Sequence, residues 1–306
     1  MWRFVIRRVL ELIPTLVGLS LAVFLFIHAI PGDPARLVAG QDATQTDIEA
    51  VRIRLGLNHS LPVQYLYFLK NAVHGEFGLS FRQQVPVLDV VRQHFVPTLL
   101  LSTSAIVLAF LFGVLAGVLA ATRRNSWLDL GITALSATGI SVPSFFLGIL
   151  LMYLFAVDLH WFPVTGSTSL RGLVLPTVSL ALAPLATIAR FVRSSFLEVA
   201  GEDFVRTATA KGLGYAAVTY KHALRNALIP VVTMTGLQFG FLLGGAVVIE
   251  TVFNYTGLGW LLIQSIGFRD YPVLQVLLLL FALEFMLVNL LVDLTYGTLD
   301  PRIRYG

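Results

Sequence analysis

The sequence predicts an all-α membrane protein: six transmembrane helices, with a small helical segment on the outer side between the first and second. Three observations carry this expectation. The 306 residues are 57% hydrophobic and only 12% charged, with a mean hydropathy of +0.82. A water-soluble domain carries about a quarter charged residues, so lipid is the solvent for most of this chain. Apolar runs of roughly 20 residues recur along it, long enough at 1.5 Å per residue to span a bilayer core of about 30 Å. Runs of that length, without ten-residue alternation, point to helices and not to barrel strands.

The first run, Val9–Ile30, follows a basic start, Met1-Trp-Arg-Phe-Val-Ile-Arg-Arg8, as a signal peptide would. It is too long for one, and Ile30-Pro-Gly-Asp-Pro34 follows where a small-residue cleavage site would stand. It is therefore expected to be an uncleaved span. Residues 31–97 read as a small helical cap. Thr46-Asp-Ile-Glu49 has the pattern of a capping box, with Gly56 placed as the stop. Ser60-Leu-Pro62 opens a second helix over Val63–Val73, closed by Gly75, and Pro86–Phe95 suggests a third.

The remaining spans are expected at Thr98–Thr122, Leu130–Val157, Leu173–Ala189, Ala227–Ile249 and Val273–Thr295. The fourth of the six is the shortest and carries Pro176 and Pro184, which are tolerated where neighbouring helices satisfy the freed carbonyls. The organisation read from this is an N-terminus and first span over 1–30, an outer segment over 31–97, a core over 98–296 with a charged loop at 190–226, and a tail over 297–306.

Lys and Arg set the orientation. Thirteen of the 21 fall on the side that holds the N-terminus, and six of the other eight lie in the long loop, which discriminates poorly. Both termini and residues 190–226 are thus expected in the cytoplasm. The net charge of +4 has this origin; no basic stripe with interleaved aromatics indicates nucleic acid.

The chain has no cysteine, which excludes disulfides and thiolate chemistry. It has no phosphate-binding loop, no His-Glu-x-x-His and no Gly-x-Ser-x-Gly. No two of its six histidines stand three or four residues apart, so neither a metal nor a catalytic pair is expected. Asn254-Tyr-Thr256 matches a glycosylation acceptor, a pattern that arises easily by accident.

Two features inside the spans carry alternative readings. Glu284 lies near the middle of the last span, where a charge costs several kcal/mol. It reads either as a bundle-facing carboxylate or as part of a polar path. Gly236, Gly240 and Gly244, with Gly245 beside them, leave one face of the fifth span without side chains. Such a face admits a helix of the same chain, or forms a seam with a second subunit or a sliding gate.

Residues 201–213, GEDFVRTATAKGL, are charged between two apolar blocks. Glu202 and Asp203 stand in the first turn of a short helix, Arg206 and Lys211 towards its end, as the helix dipole favours. Gly212 is placed to stop it. Phe204 and Ala208 share a face, and the alanines keep one flank thin enough for a groove. So short a helix is unstable alone in water and must be held by its flanks or by a partner.

This stretch resembles the cytoplasmic signature of the inner-membrane permease subunits of bacterial ABC importers, in their peptide branch (dipeptide, oligopeptide, glutathione, nickel). The resemblance runs through Ile30-Pro-Gly-Asp-Pro34, Gly75-Glu-Phe-Gly-Leu-Ser80, Gly139-Ile-Ser-Val-Pro-Ser-Phe145, Glu202-Asp-Phe-Val-Arg-Thr-Ala208 with Ala210-Lys-Gly212, His222-Ala-Leu-Arg-Asn-Ala-Leu-Ile-Pro230, Phe268-Arg-Asp-Tyr-Pro272, Val288-Asn-Leu-Leu-Val-Asp293 and Asp300-Pro-Arg302. It points to the first of the two permeases, closest to the glutathione-importer member. The resemblance implies a type I importer fold, pairing with a homologous second permease, two cytoplasmic ATPases and a periplasmic binding protein. ATP and Mg would be held by the partners, with no cofactor in this chain.

It further implies that the short helix docks on an ATPase. Arg206-Thr207-Ala208 hold the Glu-Ala-Ala positions of the wider family and Gly212 its glycine. Arg206 replaces the acid, and the distance from Gly212 to Pro230 exceeds the general spacing. The rival readings are a secondary transporter driven by an ion gradient, which would show paired half-repeats and interrupted helices, and an intramembrane enzyme, which would need a nucleophile or metal set.

Overall fold

The computed structural model describes residues 2–29, 33–39, 43–54 and 56–299. Ile30-Pro-Gly32 and the tail from Asp300, both part of the resemblance, lie outside them. Twelve α-helices are described: α1 Trp2–Ala29, α2 Pro34–Ala39, α3 Gln45–Arg54, α4 Leu61–His74, α5 Val87–Thr122, α6 Trp127–Ser141, α7 Ser144–Leu151, α8 Leu170–Ala200, α9 Asp203–Ala210, α10 Arg225–Val252, α11 Leu258–Phe268 and α12 Tyr271–Leu299. Two π-helical segments, Met152–Asp158 and Ala217–Leu224, extend α7 and lead into α10.

Five helical stretches are long and apolar enough to cross a membrane, beginning at Leu10, Val87, Leu170, Ala217 and Tyr271. The third expected span is broken. The α6 and α7 segments meet at 100°, because Pro143 disfavours helical backbone in the residue before it, and Val142 is extended at φ −82°, ψ 122°. The pair still runs from one end of the bundle to the other. Asp129 at its start is bound to Arg193 near the end of α8, and Gly148 in α7 packs on Phe253 beyond the end of α10.

The helix expected to be the shortest is the centre of the molecule. Two-thirds of its apolar window is buried, against well under half for the other four. Small residues let its neighbours approach: a methyl group at Gly113 would touch Ile188 and the Leu185 carbonyl, and one at Gly117 would touch the Ala189 carbonyl and Val192. The core is built round this contact from Leu101, Ala105 and Ala109 of α5, Leu180, Ile188 and Val192 of α8, and Leu242, Ala246 and Ile249 of α10.

The outer segment keeps two of its predicted punctuation marks. Gly56 has φ +69° and Gly75 φ +75°, the latter closing α4 with backbone bonds from Gly75 and Glu76 to Ala72 and Asn71. The capping box lies two residues earlier than expected. Thr44 Oγ1 accepts from the Asp47 amide, and the Thr44 amide donates to Asp47 Oδ2. These bonds hold the Asp47 carboxyl below its ordinary pKa. The third outer helix is not separate: Pro86–Phe95 is the first part of α5, which continues unbroken through Pro97.

The two ends of the described chain meet. Val23 and Ile27 near the end of α1 pack on Tyr271 and Leu274 at the start of α12, and Arg8 lies 3.3 Å from Asp293 near the opposite end. Helices α1 and α12 are therefore antiparallel, and their free ends lie at the same end of the bundle as α9.

Candidate functional site

The predicted charged helix exists, as α9. Its N-cap Glu202 is extended (φ −71°, ψ 150°) and makes no side-chain cap bond; Thr207 Oγ1 and Thr209 Oγ1 bond back to the carbonyls of Asp203 and Val205. At its end Gly212 takes φ +78°, a left-handed conformation natural to glycine, with its amide on the Thr209 carbonyl. Arg206 and Asp203 form an exposed pair at 3.6 Å, an arrangement that contributes little to stability.

The helix is strongly two-faced. Val205 and Ala208 are buried, three residues apart on one face. Val205 packs with Ala121 at the end of α5, Phe196 in α8, Ala223 in the second π-helical segment and Ala227 in α10. Ser195 Oγ donates to the Ala227 carbonyl beside them. One side chain thus seats α9 on the ends of three spans. Ala208, expected on a flank that enters a partner's groove, instead faces the body of its own chain. The opposite face is open: Glu202, Asp203, Phe204, Arg206, Thr207, Lys211 and Gly212 are exposed, and Leu213, Tyr215 and Tyr220 extend an exposed apolar surface beside them.

A second cluster braces this end. Asp129 accepts from Arg193 Nε at 2.6 Å and from Nη2 at 2.8 Å, while the amide of Asn125 also donates to it. With Asp129 buried, this bidentate pair is the charge-assisted kind that fixes orientation. It ties α6 to α8 a few residues from Ser195. The sequence reading missed it, since two residues 64 apart share no local pattern.

At the far end, two buried carboxylates hold loops. Glu250 accepts from Thr98 Oγ1 and from the Trp260 amide, and Thr98 Oγ1 accepts in turn from the Leu258 amide. The orphan amides that open α11 are so capped from α10 and α5. A methyl group at Gly257 would collide with both Glu250 and Thr98. Asp270 accepts from Ser80 Oγ and from the amides of Phe81 and Arg82, which joins the resemblance stretch ending at Ser80 to the one around Asp270. Asn254, the nominal glycosylation acceptor, has its Oδ1 on Trp260 Nε1. Its side chain serves a loop contact.

The glycine face divides. A side chain at Gly236 would strike Val292, and one at Gly240 would press on Phe285 and Val288, so these two glycines admit α12 of the same chain. Gly244 and Gly245 have nothing within 4 Å of a Cβ position. Glu284 lies in α12, half-buried, and its Oε2 is buried without a hydrogen-bond partner among the described residues. No group of three or more potential metal ligands occurs among the described residues.

Two family profiles match nearly the whole length between them. One, described as the membrane component N-terminal region of binding-protein-dependent transport systems, covers residues 1–102, and the inner membrane component of the same systems covers residues 113–305. The chain belongs to that family. The permease is 51% identical over 305 residues, the full length of both chains, to the glutathione transport system permease protein GsiC of Escherichia coli K12. It is 50% identical to the protein of the same name in Shigella boydii.

Its fold is similar to that of the MetNI methionine ABC transporter in inward-facing form, with a TM-score of 0.60 at 21% identity over 70% of this chain and 97% of that one. An amino acid ABC transporter gives 0.56 at 15% identity, covering 69% and 94%. The permease is thus a multi-pass inner-membrane subunit of an ABC importer, not an ion-driven secondary transporter, and within its family it is the permease and not the catalytic component. Permeases of such systems work with a second permease, an ATPase and a binding protein.

Proposed function

We propose that this permease carries glutathione, or a short peptide close to it, across the inner membrane, forming half of the path with a homologous second permease. Two ATPase subunits bind and hydrolyse ATP with Mg and dock on the open face of α9. A periplasmic binding protein delivers the cargo to the opposite end. Both termini and α9 are cytoplasmic, in keeping with the excess of Lys and Arg at that end.

One observation carries the coupling part. Val205 seats α9 against the ends of α5, α8 and α10 while Phe204, Arg206, Thr207 and Lys211 stay exposed. A push on the exposed face is therefore delivered to three spans, as a rigid-body switch requires. The cargo rests on full-length similarity to glutathione permeases.

Reconstitution tests both. The four-component complex in proteoliposomes should take up glutathione only with ATP, and uptake that persists without the ATPases would overturn the reading. Phe204→Asp should leave the permease folded and inserted but abolish cargo-stimulated ATP hydrolysis. Unchanged stimulation would remove α9 as the docking element.

A further inference from the structure

Helix α4 is patterned inside out. It has no buried residue, and its apolar stripe does not face the chain. Leu66, Leu69 and Val73 recur at three and four residues and share one side of the helix. Leu66 is 64% exposed and Val73 84%. The polar side looks inward: Gln64 and Asn71, with Glu76, Gln84 and Gln275, line a cavity of about 640 Å³. A surface helix in water is patterned the other way, apolar towards the core and polar outward.

Contacts with α1 fix the depth at which α4 lies. Tyr65 Oη donates to the Val17 carbonyl at 3.1 Å and lies 2.9 Å from Ser20 Oγ. The Phe24 ring packs on those of Tyr65 and Phe68, with centroids 5.4 and 6.1 Å apart. Phe24 stands five residues inside the apolar window of α1, which ends at Ala29, or about 7.5 Å along the helix. Val17 and Ser20 lie deeper still. Helix α4 is therefore held against the span itself, below the level where the apolar window ends. The surface that its stripe joins already faces lipid. Only 22% of the α1 window is buried, and Leu21, Leu25 and Phe26 are exposed beside the contact.

We propose that α4 is an interfacial helix seated on phospholipid, with Leu66, Leu69 and Val73 among the acyl chains of the leaflet at the Ala29 end of α1. Lys70, exposed at the edge of the stripe, sets its ammonium at the lipid phosphates while its stem covers apolar surface. The segment between α1 and α5 is thus tethered to the membrane by its own helix, which holds the polar cavity at headgroup level. The inference does not depend on the cargo.

The chain has no cysteine, so single nitroxide labels can be placed by Leu66→Cys, Val73→Cys and Asn71→Cys. Leu66 and Val73 each keep more than half their surface free, so these labels disturb no packing. The test uses the full complex, with cysteine-free partners, in vesicles of phosphatidylethanolamine and phosphatidylglycerol. Collision rates with oxygen, which concentrates in lipid, are compared with those of a water-soluble nickel chelate. Oxygen should dominate at positions 66 and 73, with a ratio that converts to a depth of about 5–10 Å below the phosphates. The nickel chelate should dominate at position 71.

Nickel collisions dominating at 66 and 73 would overturn the proposal, since the stripe would then lie in water. Labels at both positions immobilised and screened from oxygen and nickel alike would overturn it in favour of a seam with the second permease. Oxygen dominating equally at all three positions would also overturn it, because α4 would then be immersed on every side.

Discussion

At the level of single residues, polar groups in this permease are placed where two separate segments must be held at fixed depth, and their energetics follow from burial. Glu250 is fully buried and serves Thr98 and the start of α11 at once. Glu250→Ala should leave a hydroxyl and helix-opening amides unsatisfied and cost about 2–4 kcal/mol. Thermal melting of the purified complex measures this, and Glu250→Gln should recover only part of it.

Asp129 and Arg193 behave differently, since the arginine keeps about 29% of its side-chain surface. Removing either partner should destabilise by roughly 1–3 kcal/mol, less than for a fully enclosed pair. A double-mutant cycle on Asp129→Asn and Arg193→Gln should give a coupling well above zero. Additivity would show that the two do not act as a unit.

At the level of helices, the glycines sort by what their missing side chains would strike. Gly117 is pressed against the Ala189 carbonyl and Val192, whereas Gly131 in α6 faces open space. Gly117→Ala should force α5 and α8 apart and cost about 1–3 kcal/mol. Gly131→Ala should be neutral or stabilise by up to about 1 kcal/mol. Equal melting temperatures for the two variants would contradict the close approach at the centre of the bundle. Gly113 and Gly117 stand four residues apart in the sequence, a spacing that does not say which helix they admit. Pro176 and Pro184 lie in the helix with the most buried surface, as their toleration inside a bundle implies. The break at Pro143 was legible in principle, because the residue before a proline avoids helical backbone. The continuous apolar run hid it.

At the level of the whole molecule, α9 is seated where the ends of α5, α8 and α10 meet. Val205→Asp should bury a charge where α5, α8 and α10 meet, and is expected to lower the amount of folded permease recovered, whereas Phe204→Asp should not. Ala208→Glu should behave like the former, as a fault in the seat. Expression and melting, set beside stimulated ATP hydrolysis, separate the two faces. At the other end, Asp270→Asn should weaken the hold of the α11–α12 turn on the hairpin around Ser80 and raise proteolysis between α4 and α5 while the spans stay protected.

The sequence by itself determined the solvent, the apolar helical spans, the glycine stops of the outer segment, the charged helix and the family, because each is written in local composition, spacing or motif. The tertiary structure decided which face of α9 is inward, that Gly236 and Gly240 admit α12 while Gly244 stays open, and that Ser80 meets Asp270 and Thr98 meets Glu250. The last two join segments 190 and 152 residues apart, and no periodicity in one segment records the side chains of another. Glu284 shows both: its cost at mid-membrane is plain from the sequence, and its lack of a partner only from the packing around it.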